Sequence, residues 1–137
     1  MRRKNERGAS MVEFAIILPL LMLILIGIID MGRLLLAQAM VTNAAREGAR
    51  MAALRYTGAD LQTRVTQSLP GIDTLAGGHT AVVNLACPAA AGPTANATVT
   101  VATTGFQWAA LDGITGMFGA SIPTPQPSST ASMRCNG

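Results

Sequence analysis

The sequence contains few aromatic, charged or metal-binding side chains. Of its 137 residues only 4% are aromatic and 12% charged, and it has one histidine and two cysteines. About a quarter of the residues in an ordinary soluble domain are charged, whereas 50% of this chain is hydrophobic, which also argues against a disordered tail. One histidine and two distant cysteines cannot complete a metal site. These shortages favour one small domain with a membrane anchor and without cofactor or metal.

The formal net charge of +3 belongs to the amino terminus. Four basic side chains and Glu6 within residues 1–8 account for all of it, and basic and acidic side chains balance from residue 9 onward. A nucleic-acid-binding surface needs a basic face or aromatic side chains interleaved with cations, and neither follows. The charge therefore defines a short basic leader, residues 1–8, and nucleic acid is not an expected partner.

A long apolar run follows the leader. Residues 14–29 carry no charge, and extending the run back to Ala9 across Glu13 gives 21 residues. As a helix rising 1.5 Å per residue, this segment is about 30 Å long, enough to cross the hydrocarbon core of a bilayer. The positive-inside rule places the amino terminus in the cytoplasm and the chain after Asp30 outside. We therefore predict a transmembrane segment, residues 9–30, with a cytoplasmic amino terminus.

A cleavable secretory signal is the alternative for this region. Residues 37–39 read Ala-Gln-Ala, which matches the small-x-small cleavage pattern. The apolar run is longer than signal peptides use, and Asp30 and Arg33 intervene before the cleavage pattern. A soluble exported enzyme would require this cleavage and a catalytic site that the sequence does not offer.

The junction between leader and apolar run has a distinctive order of residues. Gly8 is followed by Ala9, with Glu13 at the fifth position and Phe14 at the sixth. A carboxylate in an apolar helix is costly unless it is paired or lies near the interface. Taken alone, Glu13 can be explained by an interfacial position or by pairing with Arg7.

The junction resembles the processing signal of type IV pilin-like proteins. The longer amino-terminal stretch resembles the TadE-like minor pilins, or pseudopilins, of the tight-adherence (Flp) pilus system. The resemblance covers about 45 residues and rests on four motifs: VEFA at 12–15, Leu18-Pro19, IIDMGR at 28–33 and NAAREGAR at 43–50.

The resemblance implies a prepilin peptidase as partner, cutting between Gly8 and Ala9. Glycine at this position would let an extended backbone enter a protease cleft. Glu13 would then pair with the free amino group of Ala9 in a neighbouring subunit. The chain would be a structural subunit needed for pilus assembly and adhesion, with pilin subunits and the membrane as partners, and not an enzyme with a small-molecule substrate. The alternative is a permanently signal-anchored envelope protein whose head binds a ligand or partner, for which an intact Met1 is expected.

The helix is predicted to continue outside the membrane over residues 31–56. Pro19 removes a backbone hydrogen bond within the apolar run, so a kink or a loosened turn is expected there. Asp30 and Arg33, three residues apart, are expected to pair locally, with a subunit contact as the alternative. A stripe of small side chains allows close helix packing, either with neighbouring subunits or with the chain's own head. The stripe contains Ala37, Val41, Ala44, Ala45, Gly48 and Ala52.

Residues 57–137 have the composition of a small head domain. After a break at Thr57-Gly58, valine-, threonine- and alanine-rich runs predict an antiparallel sheet packed against the end of the long helix. The predicted fold is α+β and pilin-like, with one short extra helix. The expected head elements are a helix over Ala59–Ser68 and strands over His79–Ala86, Ala97–Thr103 and Ser129–Arg134.

Two cysteines stand at the ends of predicted strands. Cys87 closes the first strand and Cys135 ends the last. Outside the cytoplasm such a pair is expected to form a disulfide, with two free thiols as the alternative.

Catalytic patterns are absent from the head sequence. His79 is predicted to be a solvated strand residue without a catalytic partner. The glycines at 113–119 lack the lysine and context of a phosphate loop, and the sequon at Asn96 is interpreted as accidental. Phe106 and Trp108, in the excursion after the second strand, are assigned either to the core or to a contact patch.

Overall fold

The computed structural model describes residues 4–56, 58–87, 95–117 and 119–135. Outside the described residues lie Arg2 and Arg3 of the leader, the predicted break at Thr57, most of the loop between Cys87 and Asn96, and Phe118. The predicted α+β class is confirmed. The elements in chain order are α1 (Lys4–Ala53), α2 (Gly58–Gln67), α3 (Ile72–Ala76), β1 (His79–Leu85), β2 (Asn96–Thr103), α4 (Leu111–Met117) and β3 (Ser128–Arg134).

The chain divides into two compact units. The first comprises Met1–Gly32 and Trp108–Pro123, and the second Arg33–Gln107 and Thr124–Gly137. The first unit therefore contains the apolar half of α1 together with α4, and the second contains the remainder of α1, the sheet, α2 and α3.

Helix α1 runs for 50 residues and remains continuous through Pro19. It is rich in alanine, leucine and other good helix formers. The helix was expected to reach about Tyr56, but it ends at Ala53 because Arg55 adopts a left-handed conformation with φ 66°. The amide of Tyr56 then donates to the carbonyl of Met51 at 3.0 Å, which satisfies a carbonyl that the ending helix leaves without a partner.

The sheet has three antiparallel strands in the order β1-β2-β3. Val101 at its centre lies opposite Ala81 of β1 and Ser129 of β3. Along β2 alternate residues are buried, from Ala97 to Thr103, as expected for a strand with one face in the core. All three strands were predicted to within one residue at each end.

The packing between α1 and the sheet is close at Gly48. A methyl group placed on this glycine would lie 3.0 Å from Cγ1 of Val99 and 3.1 Å from Cγ2 of Val65. These separations are shorter than ordinary van der Waals contacts between carbon atoms. The absence of a side chain at Gly48 is therefore what lets helix, sheet and α2 approach each other.

A second close approach joins the turn before β1 to the end of β2. Gly77 has φ 69°, and a Cβ there would lie 2.6 Å from the carbonyl oxygen of Gly105. The amide of Gly105 donates to the carbonyl of Ala76 at 3.1 Å. Both the positive φ and the backbone contact require glycine at position 77.

The predicted disulfide is present. Cys87 and Cys135 are joined with their Cα atoms 5.8 Å apart, and the pair closes a separation of 48 residues. The amide of Cys135 donates to the carbonyl of Ala95 at 2.8 Å. The bridge therefore holds the end of β3 to the segment that follows β1.

Two short helices were not predicted. Helix α3 has five residues, and α4 contains Gly113 and Gly116 within seven. Segments this short, with two glycines in the second case, have weak helix propensity. Their existence depends on contacts made after the chain has folded, which local sequence patterns do not reveal.

Candidate assembly helix

The amino-terminal half of α1 exposes its apolar side chains. The helix is long and apolar enough to cross a membrane, and its most apolar stretch has no burial within the chain. Apolar side chains exposed without interruption around a helix require an apolar environment outside the chain. The large exposed side chains between residues 11 and 29 are Met11, Val12, Phe14, Ile16, Ile17, Leu18, Leu20, Leu21, Met22, Leu23, Ile24, Leu25, Ile28 and Ile29.

The residues of the proposed processing motif lie on the exposed first turns of α1. Gly8, Ala9, Glu13 and Phe14 are all helical and all exposed. A Cβ added to Gly8 would meet no atom within 4 Å. Glycine destabilises a helix interior by about 1 kcal/mol relative to alanine, so the folded chain gains nothing from glycine at this position.

The helical state of Gly8 and Ala9 differs from the extended conformation suited to a protease cleft. The helix begins at Lys4, four residues before Gly8. A protease that cuts here must therefore unwind the first turns of α1, which are the least stabilised part of a helix because their amides lack partners.

The stripe of small residues is buried within the second unit. Gly48 contacts Val99 and Val65 across this surface. The small side chains therefore lie against the chain's own head. This is one of the two interpretations that the sequence left open. The stripe residues Ala37, Val41, Ala44 and Ala45 have no exposed area, and Ala52 retains 2%.

Asp30 ends the uncharged run and is fully buried in the first unit. Its Oδ1 accepts the amide of Ala109 at 2.9 Å, and its Oδ2 accepts the amides of Ala110 at 3.3 Å and Leu111 at 3.1 Å. Helix α4 begins at Leu111, so the carboxylate satisfies amides that the start of the helix leaves unpaired. A negative charge is also favourable at this end of the helix dipole.

Arg33 contacts backbone carbonyls and an aromatic ring in the second unit. Its guanidinium donates to the carbonyls of Leu75 at 3.2 Å and Gln107 at 3.3 Å. The same group lies 5.7 Å from the ring centre of Phe106, a buried side chain with 1% exposure. Arginine suits this position because its planar group can donate in two directions while stacking on an aromatic face. Phe106 is thus a core residue, one of the two assignments considered from the sequence.

Sequence reasoning missed these long-range contacts of Asp30 and Arg33. The local pair of the two side chains, expected from their spacing, stays a prediction. The long-range contacts are hydrogen bonds to backbone amides and carbonyls more than 40 residues away, and backbone groups leave no trace in a side-chain pattern.

His79 is not the solvated side chain that was predicted. Its imidazole is 13% exposed, with Nδ1 3.3 Å from Oδ1 of Asp73 and Nε2 3.2 Å from Oγ1 of Thr66. An acid, an imidazole and a hydroxyl in line have the order of a catalytic triad. The Thr66 hydroxyl, however, donates its proton to the carbonyl of Gln62 at 2.9 Å, so the imidazole is not placed to receive it. The cluster ties β1 to α2 and to Asp73.

Ligand sites are sparse in the part of the chain that the structure describes. No group of three or more metal-binding side chains is found among the described residues. An open groove of about 480 Å³ lies between the end of α1 and α2. It is lined by Met51, Tyr56, Asp60, Thr63, Arg64 and Gln67.

Comparison with known proteins gives one family match, which lies on the long helix. Residues 8–50, which are less than half of the chain, match the family described as TadE-like protein. No curated protein and no solved structure matches the chain. The family is pilus-associated and structural rather than enzymatic, and the apolar helix near the amino terminus fits membrane anchoring. Over these residues the amino-terminal helix is therefore similar to TadE-like proteins, a family of the tight-adherence pilus system.

Proposed function

We propose that this protein is a structural minor pilin, or pseudopilin, of a tight-adherence pilus. It is inserted in the bacterial inner membrane with residues 1–8 in the cytoplasm and the head outside. A prepilin peptidase cuts after Gly8, and the mature subunit then packs its apolar half-helix among other pilin subunits. Its contribution to adhesion follows from its part in pilus assembly.

The observation that carries the proposal is the place of Gly8, at the junction between the basic leader and the exposed apolar helix. A Cβ added at this site would meet nothing within 4 Å. The folded chain does not require glycine here, whereas a protease cleft that accepts only an unsubstituted backbone would. The match to the TadE-like family begins at this same residue.

Glu13 supports an assembly role for the same region. It is the only charged residue between Gly8 and Ile29, and it is exposed. Removing the leader creates a positive amino group at Ala9. A carboxylate and an ammonium in a low-dielectric setting make each other tolerable, so their pairing between subunits can set the register of packing.

The processing step is tested by replacing glycine at two positions of the same helix. Gly8→Leu should leave the precursor uncut, because a branched side chain would occupy the cleft. Gly27→Leu is the matched control, since Gly27 is also helical and also has no atom within 4 Å of an added Cβ. The measurement is the mass of the amino-terminal peptide after expression with the peptidase. Equal processing of both variants would contradict the proposed cleavage site.

The assembly step is tested by neutralising, one at a time, two glutamates that lie at different positions of α1. Glu13→Gln keeps the shape of the side chain and removes the charge, and the variant should be inserted and processed but not incorporated. Glu47→Gln, on the head-proximal part of α1, should assemble as the wild type does. Co-purification with the other pilus subunits is the readout. Normal incorporation of Glu13→Gln would exclude the intersubunit pair.

Failure of both processing and assembly in the wild-type chain would favour the alternative function. In that case an intact Met1 would be found in the membrane fraction, and the protein would be a signal-anchored envelope protein with a binding head. Expression with and without the peptidase separates these outcomes in one experiment.

A further inference from the structure

Residues 108–123, of which all but Phe118 are described, form a loop between β2 and β3 that carries little charge. Asp112 is its only charged residue. Its ends are joined because the indole Nε1 of Trp108 donates to the carbonyl of Pro123 at 3.3 Å. The loop carries α4 and belongs to the same compact unit as the apolar half of α1.

The loop is fixed to α1 at the level where the uncharged run ends. Asp30 accepts the amides of residues 109, 110 and 111 at 2.9 to 3.3 Å, and residues 14–29 before it carry no charge. If the run spans a bilayer, Asp30 lies where the helix leaves the hydrocarbon. The start of α4 then lies at the same depth, within one hydrogen bond of Asp30.

Helix α4 has no buried residue within the chain. Leu111, Ile114 and Met117 are spaced three apart and lie along one side of it, and Met117 is 85% exposed. A seven-residue helix with two glycines has little stability of its own. The capping by Asp30 holds its first turn, and an apolar surface outside the chain would stabilise the rest.

We propose that the loop 108–123 is a second membrane contact, lying in the interfacial region of the phospholipid leaflet from which α1 emerges. Trp108, Leu111, Ile114 and Met117 enter the boundary between headgroups and acyl chains. Tryptophan favours this boundary because its ring is apolar and its N–H is polar. A charge at this boundary is tolerated when it is paired, and the buried carboxylate of Asp30 has three amide partners. This inference rests on the membrane insertion contained in the proposed function.

The chain supplies its own reporter for the test, because Trp108 is its only tryptophan. The full chain is reconstituted in vesicles of phosphatidylethanolamine and phosphatidylglycerol. Trp108 fluorescence is then measured with lipids brominated near the headgroup end or near the methyl end of the acyl chain, and with aqueous iodide. The expected result is strong quenching by the shallow bromines, weak quenching by the deep ones, and protection from iodide.

A second reporter separates this inference from the insertion on which it depends. In the variant Trp108→Phe/Leu21→Trp the single tryptophan lies in the middle of the apolar run, and the deep bromines should quench it. Quenching at position 21 without lipid quenching at Trp108 would overturn the second contact and leave insertion standing. Absence of quenching at both positions would overturn insertion as well.

A matched pair of methionine variants tests the role of the exposed face of α4. Met117→Ser should lose most of the lipid quenching of Trp108, because it removes the most exposed apolar side chain among the described residues of the loop. Met133→Ser, an exposed methionine on β3, should leave the quenching unchanged. Protection of Trp108 from iodide without any lipid quenching would mean that another protein surface covers the loop, and would overturn the proposal.

Discussion

Replacing Gly48 with leucine should destabilise the head, because the helix meets the sheet and α2 at this point. The added Cβ alone would lie 3.0 Å from Val99 and 3.1 Å from Val65, and the leucine carries three further carbon atoms into the same space. Overpacking of a core costs about 1–3 kcal/mol, and these contacts favour the upper end. Leucine also gains about 0.8 kcal/mol over glycine in helix propensity. The net expectation is a loss of about 2 kcal/mol.

Thermal unfolding of the purified chain in detergent, followed by near-ultraviolet circular dichroism, measures this loss. For a domain of this size, about 2 kcal/mol corresponds to a fall in Tm of roughly 8–16 °C. Gly32→Leu is the control, since Gly32 is also helical but an added Cβ meets nothing within 4 Å. Its Tm should equal or exceed that of the wild type. Equal Tm values for the two variants would refute the argument that Gly48 is required by close packing.

Two further predictions concern the contacts that hold the second unit together. Replacing both Cys87 and Cys135 with serine should lower the free energy of unfolding by about 4 kcal/mol, because the bridge closes a separation of 48 residues. Chemical denaturation of the oxidised wild type and of the double variant measures this difference. Coincident unfolding curves would contradict the prediction. Arg33→Lys should cost about 1–2 kcal/mol, since the compact ammonium lacks the planar fork with which the guanidinium reaches the carbonyls of Leu75 and Gln107 while lying over Phe106. Arg46→Lys, at an exposed position of the same helix, should be neutral in the same assay, and equal stability of the two lysine variants would contradict the role assigned to Arg33.

The long helix, the three strands and the disulfide could be predicted because each has a local or pairwise signal. An uncharged run of good helix formers defines α1, and alternation of residues defines β2. The position of Cys87 and Cys135 at strand ends defined their pairing. The end of α1 was placed three residues too late, because no sequence pattern marked the left-handed conformation of Arg55.

The remaining features depend on contacts between distant parts of the chain. Helix α4 is poor in helix-forming residues, and Asp30, about 80 positions earlier, satisfies its first amides. The environment of His79 likewise depends on folding, which brings Asp73 and Thr66 to its imidazole. Strand alternation predicts which side a residue faces, but not which polar groups meet it there.

The central claim is that Gly8 is the last residue of a leader that is removed before assembly. The most direct measurement is the mass of the amino-terminal peptide of the membrane-extracted protein, from cells with and without the prepilin peptidase. The proposal predicts a chain beginning at Ala9 in the presence of the peptidase and at Met1 in its absence. A chain beginning at Met1 under both conditions would contradict it.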